Sequence, residues 1–301
     1  MRADFMATVR IIQLHHPLQL HDKKIQKDIF NGLKSSGFDI VPYEIDIADY
    51  QKYLDLAQYP AYSYLDGGKN YCFPEKSLEH YLAFKFLELG KDDIYIDIAN
   101  NHSPVPEIYT ALSGCVAYRQ DMIFPAGIHG NTMGGNASEL PVCDNFATRM
   151  ALHCSFEHFE GESDINFIKE VRRVLNPGGK LCILPLYLFN QYSIQLDPEA
   201  LPSEGMDFET DATLYLFEDG FRTRHARFYN IAHLTERICK NLGDLQLKIF
   251  YILNEDQINS QCYVKFVALI EKPQNNPPHS KNKEFPHTIP RKLKNIFSRK
   301  R

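Results

Sequence analysis

The sequence predicts an α/β fold, a mostly parallel sheet with helices on both faces. Short apolar strands alternate with helical patterns from Glu75 onward. The first of them, IYIDIA (94–99), is a continuous apolar run that ends in a polar loop, as a strand buried on both faces does. Two strand-like runs close the series, LKIFYIL (247–253) and CYVKFVALI (262–270). The link between them is too short for a helical crossover, so they pair antiparallel. At 301 residues, 44% hydrophobic and 24% charged, the chain is neither a disordered polymer nor a collagen-like repeat, and its length allows one large domain or two.

In chain order, residues 22–36 carry Ile25, Ile29 and Leu33 at a spacing of four, which predicts a helix. Phe38–Ile47 reads as extended. Residues 50–73 hold tyrosines 50, 53, 59, 62, 64 and 71, broken by Pro60 and Gly67-Gly68. Rings of this kind either pack in a core or form a half-polar lid, and both readings stay open. EKSLEHYLAFKFLELG (75–90) predicts an amphipathic helix with Leu78, Leu82, Phe86 and Leu89 on its apolar face. A strand CVAYRQD (115–121) precedes the glycine-rich stretch 127–135. The strand ATRMALHC (147–154) leads to the helix SDINFIKEVRRVL (163–175). Asn176-Pro177-Gly178-Gly179 ends that helix and releases KLCILPLYLF (180–189). Residues 190–230 read as irregular, with Pro198, Pro202 and the basic–aromatic run RTRHARFY (222–229), before a helix at about 232–242. The expected organisation is an N-terminal cap (1–74), a main domain (75–271) and a basic, disordered tail (272–301).

The net charge of −5 conceals an asymmetry: nine Lys/Arg face two acids from Glu271 to the end, whereas residues 1–270 carry 24 bases against 36 acids. An acidic body argues against a nucleic-acid partner. The tail 289–301 sets Leu293, Ile296 and Phe297 on one helical face amid six bases. It is either a short helix for weak contact with an anionic membrane or a solvated terminus. No apolar run reaches the roughly 18 residues of a membrane span, and the N-terminus has no apolar leader, so the expected location is cytoplasmic, at most membrane-peripheral. Seven scattered cysteines without a CxxC pair read as reduced, packed thiols, and the twelve histidines show no ligand spacing, so no metal is expected.

Ligands of open parallel sheets bind beyond the carboxyl ends of the strands. Here those ends carry Asp97-Ile98-Ala99-Asn100-Asn101, Asp121, Gly135-Asn136-Ala137 and His153-Cys154. An acid ending the strand after Asp97 suits a pair of ribose hydroxyls, since one carboxylate accepts both hydrogen bonds. The chain has no GxGxxG after the first strand, no GxxxxGK[ST], no HExxH and no GxSxG.

Residues 134–187, GGNASELPVCDNFATRMALHCSFEHFEGESDINFIKEVRRVLNPGGKLCILPLY, resemble the class I S-adenosylmethionine-dependent methyltransferases in the branch called type 11. The family pattern there runs G-D-A-x-x-L-P-F, a strand, L-E-H-F, a helix with R-V-L-x-P-G-G and a further strand. More weakly, the likeness extends from about Glu75 to Ile270. It implies a Rossmann-like seven-stranded sheet in the order 3-2-1-4-5-7-6 with strand 7 antiparallel, and S-adenosyl-L-methionine as cofactor. Cofactor-binding positions carried over from it are Asp97, Ala99 and Asn101 in the first loop, Asp121 for the ribose, Asn136 and Ala137 for the adenine, and His153 at the end of the fourth strand. Ala99, Asn101 and Ser103 stand where the family has glycines, so the loop either keeps the glycine path with small residues or blocks the cofactor.

Glu157-His158 follows that fourth strand; His158 is the candidate catalytic base, with Glu157 beside it, or the pair supports the turn. Arg224 and Arg227 fall on the acceptor side, where they bind an anionic group or pair with the acidic body. The implied function is methyl transfer to a small-molecule or glycan acceptor, with oxygen as the preferred atom. The alternative is a non-catalytic binding protein on the same scaffold, which has lost the cofactor.

Overall fold

The computed structural model describes residues 10–14, 18, 20–60, 73–200, 209–217, 223–260 and 262–274. Nearly all of the expected tail, including its 289–301 helix, lies outside them, as do Tyr62, Tyr64 and Tyr71.

In chain order the elements are β1 (Arg10–Leu14), α1 (Lys23–Ser35), β2 (Asp39–Tyr43), α2 (Ile47–Ala57), α3 (Phe73–Leu87), β3 (Ile94–Ile98), α4 (Val105–Ser113), β4 (Val116–His129), β5 (Thr132–Gly134), β6 (Ala147–His153), α5 (Ser163–Val174), β7 (Leu175–Leu184), β8 (Ser193–Leu196), β9 (Thr213–Phe217), β10 (Ala226–Phe228), α6 (Ile231–His233), β11 (Gln246–Ile252) and β12 (Phe266–Glu271). A π-helical turn, Leu234–Ile238, prolongs α6.

Eight strands form the main sheet in the order β2-β11-β12-β7-β6-β3-β4-β5. β3 pairs parallel with β4 and β6, and β6 with β7. β12 runs antiparallel to both neighbours, β7 and β11. Read from β5, seven of these strands follow the order expected from the family likeness. The eighth is β2, which pairs parallel with β11 outside it. Here the expectation of a separate cap over 1–74 needs correction: residues 39–43 extend the sheet's edge rather than cover it.

Side chains alternate along the strands and so build two cores. Ile96, Ile98, Met150, Leu152, Leu181 and Ile183 face α1, α5 and the segment after α6. Tyr95, Ala151, Cys182 and Leu184 face α2, α3 and α4. Asp22 caps α1 by accepting from the backbone N–H groups of Lys24 and Ile25 at 2.8 and 3.0 Å.

Two further expectations are corrected. Residues 190–230 contain three short strands, and with β1 these make a second sheet ordered β1-β9-β8-β10. Strands of three to five residues interrupted by prolines leave too little periodicity to read. The helix α3 is not simply amphipathic either. Leu78, Leu82 and Phe86 are buried as expected and Leu89 is half-buried, but Ser77, Glu79 and His80 are buried too, and the tyrosines of α2 cover part of that flank: the Tyr50 hydroxyl bonds Ser77 Oγ at 2.7 Å. No helix among the described residues is long and apolar enough to cross a membrane.

Candidate functional site

The chain turns sharply where β3 ends. Ala99, Asn101 and His102 have φ of 53°, 42° and 62°, in the left-handed region. Each costs a residue with a side chain about 1 kcal/mol, and neighbouring groups hold the turn in place. Asn101 N–H donates to Asp121 Oδ2 at 2.9 Å, Ala99 N–H to Gln120 Oε1 at 3.3 Å, and Asn100 N–H to the Gln120 carbonyl at 2.9 Å. The glycine-free loop therefore keeps a left-handed path, gripped by Gln120 and Asp121 of β4, a strand that runs on to His129 rather than ending at 121 as expected. Gln120 also donates from Nε2 to the Gly135 carbonyl at 2.6 Å, which ties the loop to the Asn136-Ala137 turn. Sequence reasoning passed over Gln120: a glutamine in a strand carries no signal until the strand's neighbours are known.

A cavity of about 480 Å³ opens at this edge of the sheet, bounded by Ala99, Asp121, Asn136 and Ala137 on one side and by His158 and Arg224 on the other. Ligand pockets span roughly 300–1,000 Å³. Asp121 is half-buried at its wall and accepts from the N–H groups of Asn101 and Ile123, so the backbone fixes its carboxylate.

Four of the expected cofactor positions, Ala99, Asp121, Asn136 and Ala137, line the cavity together. Asp97 and His153 stand behind the loop. Asp97 is 1% exposed; its oxygens accept from Tyr95 OH at 2.7 Å and Asn100 Nδ2 at 2.6 Å. Burial lifts it to about 6 in spite of these bonds. His153 Nε2 lies 3.4 Å from Asp97 Oδ1, and burial lowers this imidazole to about 3, with the charge of Lys76 adding to the effect. It is a neutral, buried ring that does not line the cavity. Asn101 takes part through its backbone N–H.

His158 sits on the 3-10 turn Phe156–His158 that follows β6. Its Nδ1 lies 2.5 Å from the carbonyl oxygen of His225. A carbonyl only accepts, so Nδ1 carries the proton and Nε2 offers a lone pair. Nε2 lies 3.5 Å from Glu157 Oε1, a carboxylate placed to stabilise the ring once it gains a proton, and the His158 side chain is 49% exposed on the cavity.

Arg224 and Arg227, expected together, part ways. Arg224 lines the cavity in a forked pair with Glu160, at 2.5 and 3.1 Å. Arg227 is 0% exposed and cannot reach a substrate. It donates to the carbonyls of Phe159 and Gly161 and to Glu209, and lies 3.1 Å from Asp164. Arg227 lies on β10 whereas Arg224 precedes that strand, a difference of surroundings that a basic run alone does not disclose.

Between them in sequence, His225 donates from Nδ1 to the Glu157 carbonyl at 3.0 Å. Burial, then the charge of Arg227, lowers it to about 3. A histidine whose folded pKa lies below its unfolded value stabilises fully above about pH 6.5, and that contribution is lost as pH falls toward the folded pKa. The stability gap between wild type and His225→Gln is therefore expected to shrink by about 2 kcal/mol from pH 7.5 to pH 5. Urea unfolding at both pH values measures it; a constant gap means that His225 is not buried neutral.

Residues 117–183 match a family model described as a methyltransferase domain. No curated protein matches the sequence. Among solved structures, the chain is similar to the Burkholderia thailandensis 1,6-didemethyltoxoflavin-N1-methyltransferase with bound 1,6-didemethyltoxoflavin and S-adenosylhomocysteine, at 11% identity, TM-score 0.45, 78% of this chain and 95% of that one. It is also similar to the geranyl diphosphate C-methyltransferase of Streptomyces coelicolor A3(2), in complex with Mg2+, geranyl diphosphate and S-adenosyl-L-homocysteine, at 12% identity and TM-score 0.44, covering 85% and 99%.

Proposed function

We propose that the chain is a class I S-adenosylmethionine-dependent methyltransferase, a reading that the family match over residues 117–183 supports, that the cavity beyond β3, β4 and β5 holds the nucleoside part of the cofactor, and that His158 serves the methyl acceptor. The observation that carries this reading is the convergence of Ala99, Asp121, Asn136, Ala137 and His158 on one cavity of about 480 Å³.

The residues present fit the cofactor. The turn 99–102 holds left-handed backbone without a glycine, and its residue on the cavity is the small Ala99. Asn100 Oδ1 is a buried acceptor without a partner among the described residues, available to a donor arriving at the loop. Asp121 would take the ribose hydroxyls, and Asn136 with the Ala137 backbone the adenine edge. S-adenosylmethionine supplies a methyl group carried on a sulfonium. The protein's part is to align the acceptor, exclude water and move one proton. On a hydroxyl acceptor that proton passes to His158 Nε2, while Nδ1–H holds the His225 carbonyl and Glu157 offsets the new charge. The proposed acceptor is a small molecule methylated on oxygen; a glycan fits the same description.

Titration calorimetry with S-adenosylhomocysteine tests the first half. Wild type is expected to bind in the micromolar range, and Asp121→Asn, which keeps an acceptor for the backbone but gives up one for the ribose, about tenfold more weakly. Absence of heat at millimolar ligand overturns the reading and leaves a scaffold with a binding role.

A further inference from the structure

Each of the three left-handed residues in the turn after β3 is held by a residue of β4. Gln120 Oε1 accepts from the Ala99 N–H at 3.3 Å, and Asp121 Oδ2 from the Asn101 N–H at 2.9 Å. The His102 ring makes a T-shaped contact with Phe124, their centroids 5.5 Å apart. Phe124 is fixed in turn, because the chain after Asp121 crosses β5 so closely that a Cβ on Gly134 would lie 1.9 Å from the Pro125 carbonyl oxygen. Left-handed backbone on residues with side chains persists only where its surroundings over-determine it, and such places gather at ligand clamps.

Gln120 has the central place in this clamp. Its neighbours in register are Ile98, where β3 ends, and Met133 of β5. It is 1% exposed and forms part of the cavity wall. A glutamine amide presents an acceptor and a donor side by side. Oε1 takes the Ala99 N–H of the first loop, and Nε2 donates at 2.6 Å to the carbonyl of Gly135, next to Asn136 and Ala137. The Gln120 backbone carbonyl takes the Asn100 N–H at 2.9 Å. One residue thus sets the spacing of two loops that reach the cavity from different strands.

We infer that Gln120 is a positioning residue for the cofactor and that it takes the place of the glycines missing at 99 and 101. Without its amide, Ala99 would leave the left-handed region in most molecules. A ligand would then bind only the fraction that still holds the turn, and apparent affinity falls by that fraction. Glycine reaches the same backbone at no steric cost, so a loop with glycines at 99 and 101 would depend less on Gln120. The glutamine and the two side chains are therefore coupled, which residues acting independently are not. This assignment rests on the reading of the cavity as the cofactor site.

Titration of the full chain with S-adenosylhomocysteine in two backgrounds tests it. In the natural loop Gln120→Met is expected to weaken binding on the order of tenfold, through the loss of two hydrogen bonds. In a chain carrying Ala99→Gly and Asn101→Gly, the same change is expected to weaken it no more than about threefold. Equal losses in the two backgrounds, or none in the natural loop, overturn the inference, since an amide that only fills the core costs the same in both. A Gln120→Met chain that folds only in the glycine background supports the coupling; one that folds in neither marks a structural amide and overturns it. Amide hydrogen exchange of unliganded wild type needs neither variant nor cofactor. There the Ala99 and Asn100 amides are expected to exchange far more slowly than in an open loop, and exchange at the open-loop rate overturns the inference alone. Protected amides in a wild type that binds no S-adenosylhomocysteine defeat the cofactor reading, and with it the assignment, while the clamp itself stands.

Discussion

Arg227→Ala is expected to cost about 3–5 kcal/mol of folding free energy, because removing one member of a buried ion network strands the others. Asp164, fully buried, receives Arg227, Arg237 and the Tyr229 hydroxyl. Burial alone raises a carboxyl group, yet these bonds outweigh it and hold Asp164 below the usual carboxylate range. Alanine removes one of the two arginines and leaves the Phe159 carbonyl short of a donor, while that of Gly161 keeps Arg237. The second arginine of the run is the internal control. Arg224 is 39% exposed in its pair with Glu160, and exposed pairs contribute roughly 0–1 kcal/mol, so Arg224→Ala is expected to cost no more than that. Urea denaturation of both variants measures the contrast. Similar losses in the two refute the division of this run into a buried structural arginine and one at the cavity rim.

The sheet order was legible only through the family resemblance carried by residues 134–187, which implies it, whereas the antiparallel pair follows from the eight-residue gap before CYVKFVALI itself. The eighth strand was not. Phe38–Ile47 reads as extended, but nothing local says that residues 39–43 pair with β11, some two hundred positions later. For the same reason the second sheet escaped notice: β1 meets β9 only through the fold. At the site, Asp121, Asn136 and Ala137 could be placed because strand ends in a parallel sheet have a known use. The glycine-free loop could not be decided from residue types, since the grip that holds Ala99 and Asn101 left-handed comes from Gln120 and Asp121 on another strand. The polar flank of α3 was hidden by its own regularity. Leu78, Leu82 and Phe86 announce a core face and say nothing of the opposite flank, where Ser77, Glu79 and His80 are buried and Tyr50 of α2 reaches Ser77.

His158→Asn is expected to lower kcat for methyl transfer to a hydroxyl acceptor by about 10²–10⁴-fold, the usual contribution of a positioned general base. This variant separates the two roles open to the residue. Asparagine keeps an N–H donor near the position of Nδ1, so the bond to the His225 carbonyl and the turn after β6 survive; what disappears is the lone pair at Nε2 facing the cavity. A residue that merely supports the turn predicts unchanged kcat and unchanged thermal stability for His158→Asn, with a loss of stability in His158→Ala. A base predicts the kinetic loss in both variants, with cofactor affinity little altered, and partial recovery of His158→Ala by added imidazole, which can occupy the vacated space and accept the proton. Tritiated methyl transfer measures kcat, and titration with S-adenosylhomocysteine measures cofactor affinity. If the asparagine variant turns over at the wild-type rate, the acceptor gives up its proton elsewhere or has none to give, and the Glu157-His158 pair is only the hinge on which the cavity wall is built.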